Sequence, residues 1–366
     1  MATSPSVATK VAVIGSGISG AVCASALAKN GISVTIFESG RGPGGRMSQR
    51  RETAEDGREL LFDHGAPYFT VTNPEVVGLV QDWESRGFVA PWNEKFGSFD
   101  CTSKKFLVSN EEESNQKYVG IPGMNSICRA LSSEPGVRSC FGLGVGKVEW
   151  LEDEDLWSLT SLDGQDLGQF KGVVTSDKNM FSSRFTMATG GKPPLEIALK
   201  VKEIPVVSCF ALMLAFERPL QSIPVKGFSF KNSENLSWAF CDSSKPGRSI
   251  TSERWVLHST AQYAENIIAQ TGLQRPTNAL LAKVAEELVQ EFKGTGLDIS
   301  QLFFKKAHRW GSAFPAKSIA AEEKCLWNGN RRLAVCGDFC VSPNVEGAIL
   351  SGIAAAAKFT ELLGSL

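Results

Sequence analysis

A chain of 366 residues with 42% hydrophobic and 21% charged side chains has the composition of a soluble globular protein, long enough for two domains or one large composite one. Its 38 basic and 39 acidic residues give a formal net charge of −1, so global charge offers no attraction to nucleic acid or to a membrane surface. Nine irregularly spaced cysteines without a CxxC argue against a disulfide framework, and three histidines without ligand spacing argue against a metal site. The cysteines read as small core residues in a reducing compartment.

The first ten residues, "MATSPSVATK", are hydroxyl-rich, free of acids and too short for a full transit peptide. They read as the stub of one or as a loose terminus, and the expected location is soluble and intracellular, in cytoplasm or chloroplast stroma. Residues 11–28, "VAVIGSGISGAVCASALA", are eighteen uncharged residues, but their glycine spacing argues against a membrane span. "VAVI" predicts a buried parallel strand, residues 19–29 a helix stopped by Asn30-Gly31, and 32–37 a second strand ending at Glu38. Between the first strand and the helix stands Gly15-Ser16-Gly17-Ile18-Ser19-Gly20, a G-x-G-x-x-G. Gly15 permits the tight turn, Gly17 lets the backbone approach a pyrophosphate, and Gly20 lets helix and strand pack closely. The helix N-terminus offers free N–H groups and partial positive charge to phosphate. Glu38 can accept bonds from both ribose hydroxyls, and its charge disfavours a 2′-phosphate. The unit therefore predicts a dinucleotide-binding Rossmann-type α/β domain.

The next stretch, "FESGRGPGGRMSQRR" at 37–51, packs four glycines and four arginines into fifteen residues. An ordinary loop after the second strand needs neither. Gly44 and Gly45 allow close approach to a ligand, and Arg41 and Arg46 supply charge for phosphate oxygens. This favours the long, extended dinucleotide FAD over NAD. The C-terminal segment agrees: a strand at 333–337 ends in Gly337-Asp338, and Val345-Glu346-Gly347-Ala348 opens a long helix to about 363. Asp338 suits a ribityl hydroxyl, and the helix N-terminus suits the electron-rich edge of a flavin.

In that order, "VIGSGISG", "FESGRGPGGRMSQRR", "FDHGAPYFT", "YVGIPGMNSI", "HRWGSAFP" and "CGDFCVSPNVEGAILSG" resemble the renalase-like branch of the amine-oxidase/glutathione-reductase type FAD superfamily, plant members above all, from about 11 to 360. The resemblance implies that Gly15, Ser16, Gly17, Ser19 and Gly20 surround the pyrophosphate and that Glu38 and Ser39 hold the adenosine ribose. It implies that Arg46 binds phosphate, with Gly45 and Met47 close to the flavin. His64, Gly65, Ala66 and Pro67 would lie along the isoalloxazine, and Val145 would contact adenine. Asp338 would take the ribityl chain, with Glu346, Gly347 and Ala348 over the pyrimidine edge. The family's Ala-Pro or Thr-Pro near residue 176 is missing from "GVVTSDKNMFSSRFTMATGGKPPLE".

The FAD domain is expected to be discontinuous, over 1–72, 119–190 and 311–366. A mixed-sheet substrate domain would take 73–118 and 191–310, with strands at 206–216, 237–240 and 253–260 and an amphipathic helix at 278–292. "EEES", 111–114, reads as a solvated loop. Tyr68, Phe69, Trp92, Trp238, Trp255 and Trp310 are the aromatic candidates for a flavin-facing pocket, each with burial in the core as the alternative. His64 and Trp310 are the leading catalytic candidates. His308 is a further acid–base candidate, although a hydrogen-bonded structural histidine is the better expectation for His308 and His258. With one G-x-G-x-x-G only, a pyridine nucleotide would bind as substrate at the flavin. The resemblance implies an oxidase that takes hydride from a small reduced substrate, such as a dihydronicotinamide nucleotide, to flavin N5 and passes the electrons to dioxygen. A flavin amine oxidase or desaturase relative, and a non-catalytic FAD-binding regulatory protein, remain the alternatives.

Overall fold

The computed structural model describes residues 10–109, 115–181, 195–202, 204–299 and 301–363. The sequence expectations at the N-terminus before residue 10, at 111–114 and at 182–194 lie outside these residues. The fold is α/β, with a Rossmann-type sheet and a second, largely antiparallel sheet.

Strand β1 (Lys10–Ile14) is followed by helix α1 (Ile18–Lys29) and strand β2 (Ser33–Glu38). β1 pairs in parallel with β2, Val11 opposite Val34, and on its other side with Gly172–Thr175. The six-stranded sheet runs 137–141, β2, β1, 172–175, 333–335, 326–328. The strand order therefore reverses at β1, and the loop after it opens into the crevice where α/β sheets bind ligands. β1 is an apolar run because both its faces are covered: α1 and Val345–Leu363 pack on one, and the three-stranded sheet of 145–151, 156–161 and 166–170 packs on the other. The two helices approach so closely that a side chain at Gly352 would come within 2.3 Å of the Ser19 carbonyl.

The second sheet has seven strands, in the order 302–315, 206–216, 253–259, 236–241, 227–231, 96–100, 105–108. Alternation along Val206–Phe216 sends Phe210, Leu212, Leu214 and Phe216 to one core. There they meet Val284, Leu288 and Phe292 of the helix Asn278–Gly294. Ala211, Met213 and Ala215 face the other way, onto Leu60 and Phe62 of the hairpin Gln49–Thr53/Glu59–Asp63. The strand Leu302–Pro315 pairs with 206–216 along its length, from Phe216 opposite Leu302 to Val206 opposite Pro315. It continues through residue 311, with a bulge between the Cys209–Trp310 and Val207–Phe314 pairs. Among the described residues no helix is long and apolar enough to cross a membrane.

Candidate active site

The two glycine loops lock together. Gly44 donates its N–H to the Ser16 carbonyl at 3.0 Å, and Gly17 and Gly44 form an isolated parallel bridge. Gly44 and Gly45 have φ of 131° and 53°, a region that favours glycine. A side chain at Gly17 would meet nothing within 4 Å, so this loop faces open space. α1 starts at Gly17 without a side-chain cap and without an acid in its first turn, leaving its N–H groups for a ligand.

That space is a cavity of about 630 Å³ between the two sheets. At one end stand Glu38, Ser39, Gly144 and Val145. Glu38 accepts the N–H groups of Ser16 at 2.9 Å and Gly40 at 2.7 Å, which fixes its carboxylate at the C-terminal end of β2. Midway, Arg46 and Asp338 meet in a two-pronged ion pair of 2.6 and 2.7 Å, and Arg46 also donates to the Ala313 carbonyl at 3.0 Å. At the far end Gly65, Ala66 and Pro67 form a strap along one wall. Ala66 donates to the Arg46 carbonyl at 2.9 Å, and any side chain at Gly65 would collide with that same carbonyl.

The far wall is built by strand register. Ala211 lies opposite His308 on one neighbouring strand and opposite His258 on the other, and His258 lies opposite Trp238. Directly opposed residues point to one face, so a single rung presents two histidines and a tryptophan around a small alanine. Trp310 lies opposite Cys209. The strap crosses this face. His64 offers its carbonyl to Trp310 Nε1 at 3.0 Å and to His258 Nε2 at 3.2 Å, so neutral His258 carries its proton on Nε2. The rings of His64, His308 and Trp310 stand 4.8 Å apart, pair by pair. All three histidines of the chain thus converge at this point.

Burial, then the neighbouring charges of His308 and Arg50, pulls His64 down to about 3. Burial alone dominates for His308 and His258, each pulled down to about 4. These imidazoles are neutral at physiological pH, and the consequence for stability has a definite sign. Above pH ~6.5 neither the folded nor the unfolded chain protonates them. Below it only the unfolded chain does, so stability is present above pH ~6.5 and is lost as pH falls toward 4, by up to about 1.4 kcal/mol per pH unit for each histidine. Urea unfolding at pH 7 and 5.5 checks this, and His308→Gln should flatten the slope by one histidine's share.

Most residues singled out in the sequence line the cavity: Gly15, Gly17, Ile18 and Ser19 of the first loop, Gly45, Arg46 and Met47 of the second, and Gly337, Asp338, Val345 and Ala348 of the C-terminal segment. Ser16, Gly20, Arg41, His64, His308, Glu346 and Gly347 do not. Ser16 and Gly20 sit behind the loop, and Glu346 turns its carboxylate to the N–H groups of Thr72 and Asn73 at 2.6 and 2.7 Å. Of the six aromatics, Tyr68, Phe69, Trp238 and Trp310 line the cavity, while Trp92 and Trp255 are core. Phe240, Phe314 and Ser176 were not singled out. Ser176 stands where the family's Ala-Pro or Thr-Pro is missing, and its hydroxyl donates to the Gly15 carbonyl at 3.0 Å. Its only sequence signal is a hydroxyl residue just past a buried strand.

The chain belongs to the family of flavin containing amine oxidoreductases, whose pattern matches residues 75–359; an NAD(P)-binding Rossmann-like domain matches 13–83. Over 73 residues, 20% of this chain, it is 38% identical to protoporphyrinogen oxidase 2, chloroplastic/mitochondrial, of Arabidopsis thaliana, and that stretch spans 13% of the relative's length. Two solved structures share the fold at 10% identity. One is a protein from Exiguobacterium sp. 255-15 provisionally named a protoporphyrinogen oxidase, with a TM-score of 0.69 and 100% of both chains covered. The other is a putrescine oxidase variant redesigned in cofactor binding, with a TM-score of 0.68, covering 96% of this chain and 98% of that one.

FAD is the cofactor of this family, and the cavity fits it: an open glycine cradle, an uncapped helix N-terminus, a carboxylate at one end and a flat aromatic wall at the other. Arg46→Met should weaken FAD binding roughly 10–100-fold, since a hydrogen bond to a charged group contributes about 1.5–3 kcal/mol. Fluorescence titration of FAD into the cofactor-free protein checks this.

Proposed function

We propose that the protein is an FAD-dependent oxidase of renalase type, acting on a small reduced ring compound such as a dihydronicotinamide nucleotide, with dioxygen as acceptor. Bound in this cavity, FAD supplies two-electron oxidation of such a substrate. The chain's own residues provide the rest. Tyr68, Trp238, Phe240 and Trp310 offer flat walls against which a ring can lie, and Trp238 and Phe240 are parallel within 7°. The strap 64–67 limits how a ring can approach. Neutral His258 orients that strap rather than serving as a base, so binding and orientation carry the catalysis.

The observation that carries this reading is one of charge. Glu38, Asp177 and Asp338 are the carboxylates of the cavity lining among the described residues; Glu38 ends β2, Asp177 follows Ser176 beside the Gly15 turn, and Asp338 is paired with Arg46. Among the described residues a protonated diamine would find no counter-ion at the aromatic walls, whereas an uncharged ring finds stacking surfaces. The relatives named for putrescine and protoporphyrinogen oxidation supply the competing substrates. In anaerobic mixing, the yellow protein should bleach rapidly with NADH, NADPH or a misreduced isomer, recover in air, and stay oxidised with putrescine. Bleaching by putrescine or protoporphyrinogen alone would overturn this reading.

A further inference from the structure

The strand Glu59–Asp63 runs directly into the 64–67 strap. Behind the strap lies a knot of four charges, none of which lines the cavity. The side chains of Asp63 and Lys245 are 0% exposed, Asp242 1% and Arg248 3%. Lys245 Nζ donates to Asp63 at 3.0 Å and to Asp242 at 2.6 Å. Arg248 donates to Asp63 and to the carbonyls of Gly120 and Pro122. The second oxygen of Asp63 accepts the Met124 N–H at 3.1 Å. Lys245 and Arg248 lie between the strands Leu236–Cys241 and Glu253–Ser259 of the seven-stranded sheet. The same sheet supplies His258 and Trp310, which hold the next residue of the strap by its carbonyl. Two consecutive residues, Asp63 and His64, are therefore gripped from one sheet by four side chains.

Stability alone does not account for such a knot. A buried ion pair is often no more stabilising than apolar residues of the same volume, and its best-attested use is to fix register. We propose that Lys245 is a positioning residue: by bridging Asp63 and Asp242 it sets the height of the 64–67 strap, so that the substrate sheet determines how the flavin and the ring above it face each other. This rests on the flavin-site reading of the cavity.

The test uses the FAD-loaded protein and the double variant Asp242→Asn/Lys245→Met. It removes one carboxylate and one ammonium together, and Asp63 keeps Arg248 and the Met124 N–H. The expected result is an unfolding midpoint close to the starting protein, together with altered visible circular dichroism and a shifted reduction potential of the bound flavin. With a donor that reduces the starting protein, kcat should fall roughly 10–100-fold while KM moves less than about twofold. A variant that keeps both the stability and the flavin signals of the starting protein would overturn the proposal. If the double variant does not fold, Lys245→Arg, which keeps the charge balance but enlarges the bridging group, is read by the same two flavin signals, and unchanged signals again overturn it. A starting protein that takes up no FAD would overturn the flavin-site reading itself, before any variant is compared.

Discussion

Lys245→Met is expected to lower the unfolding free energy by about 3–5 kcal/mol, the range seen when one partner of a buried ion pair is removed. The cause is desolvation rather than lost attraction. Asp242 would keep a carboxylate with 1% side-chain exposure and lose its ion pair with Lys245, the one it makes among the described residues, and one of its oxygens is already buried without a hydrogen bond to them. Asp63 suffers less. Burial pushes its carboxyl up, but the charges of Lys245 and Arg248 overcome that and hold it below the usual range, and Arg248 would remain. Denaturant unfolding at pH 7 reads the loss, and adding Asp242→Asn should recover most of it. A single variant as stable as the starting protein would mean that water reaches Asp242.

Gly20→Ala is expected to remove FAD binding and to destabilise the fold by about 1–3 kcal/mol, the usual cost of overpacking. The added methyl would sit 2.2 Å from the Gly15 carbonyl oxygen and 2.7 Å from Ser176 Oγ. The carbonyl belongs to the tight turn after β1, so α1 itself must move. That movement withdraws the helix N–H groups from the phosphates and strains the bond from Ser176 to Gly15. Losing two charge-assisted bonds corresponds to roughly 100-fold or more in affinity. Gly78→Ala is the control: Gly78 lies in the helix Pro74–Ser85, nothing stands within 4 Å of its added methyl, and the change should stabilise by up to about 1 kcal/mol. Calorimetric titration with FAD and thermal unfolding of both variants separate steric collision from a general effect of alanine.

The cofactor cradle could be read directly because its physics is local. The turn at Gly15, the phosphate approach at Gly17 and the packing at Gly20 all lie within six residues, and their spacing fixes their geometry before any long-range contact forms. The same holds for Glu38 at the end of β2 and for Gly337-Asp338 before the last long helix. Element boundaries followed closely: 19–29 against Ile18–Lys29, 206–216 against Val206–Phe216, 278–292 against Asn278–Gly294. The wall facing the cradle was not local. His258, His308 and Trp238 share a rung only because three strands distant in sequence pair in one register, and a shift of a single residue would turn them to the opposite core. The pairing of Asp63 with Lys245 and Arg248 likewise joins residues with no shared pattern along the chain. By itself the sequence determined the class of cofactor and the glycine loops that line the cavity. The packing of the seven-stranded sheet decided what stands opposite, because side-chain convergence across strands depends on register and burial, which no spacing along one strand encodes.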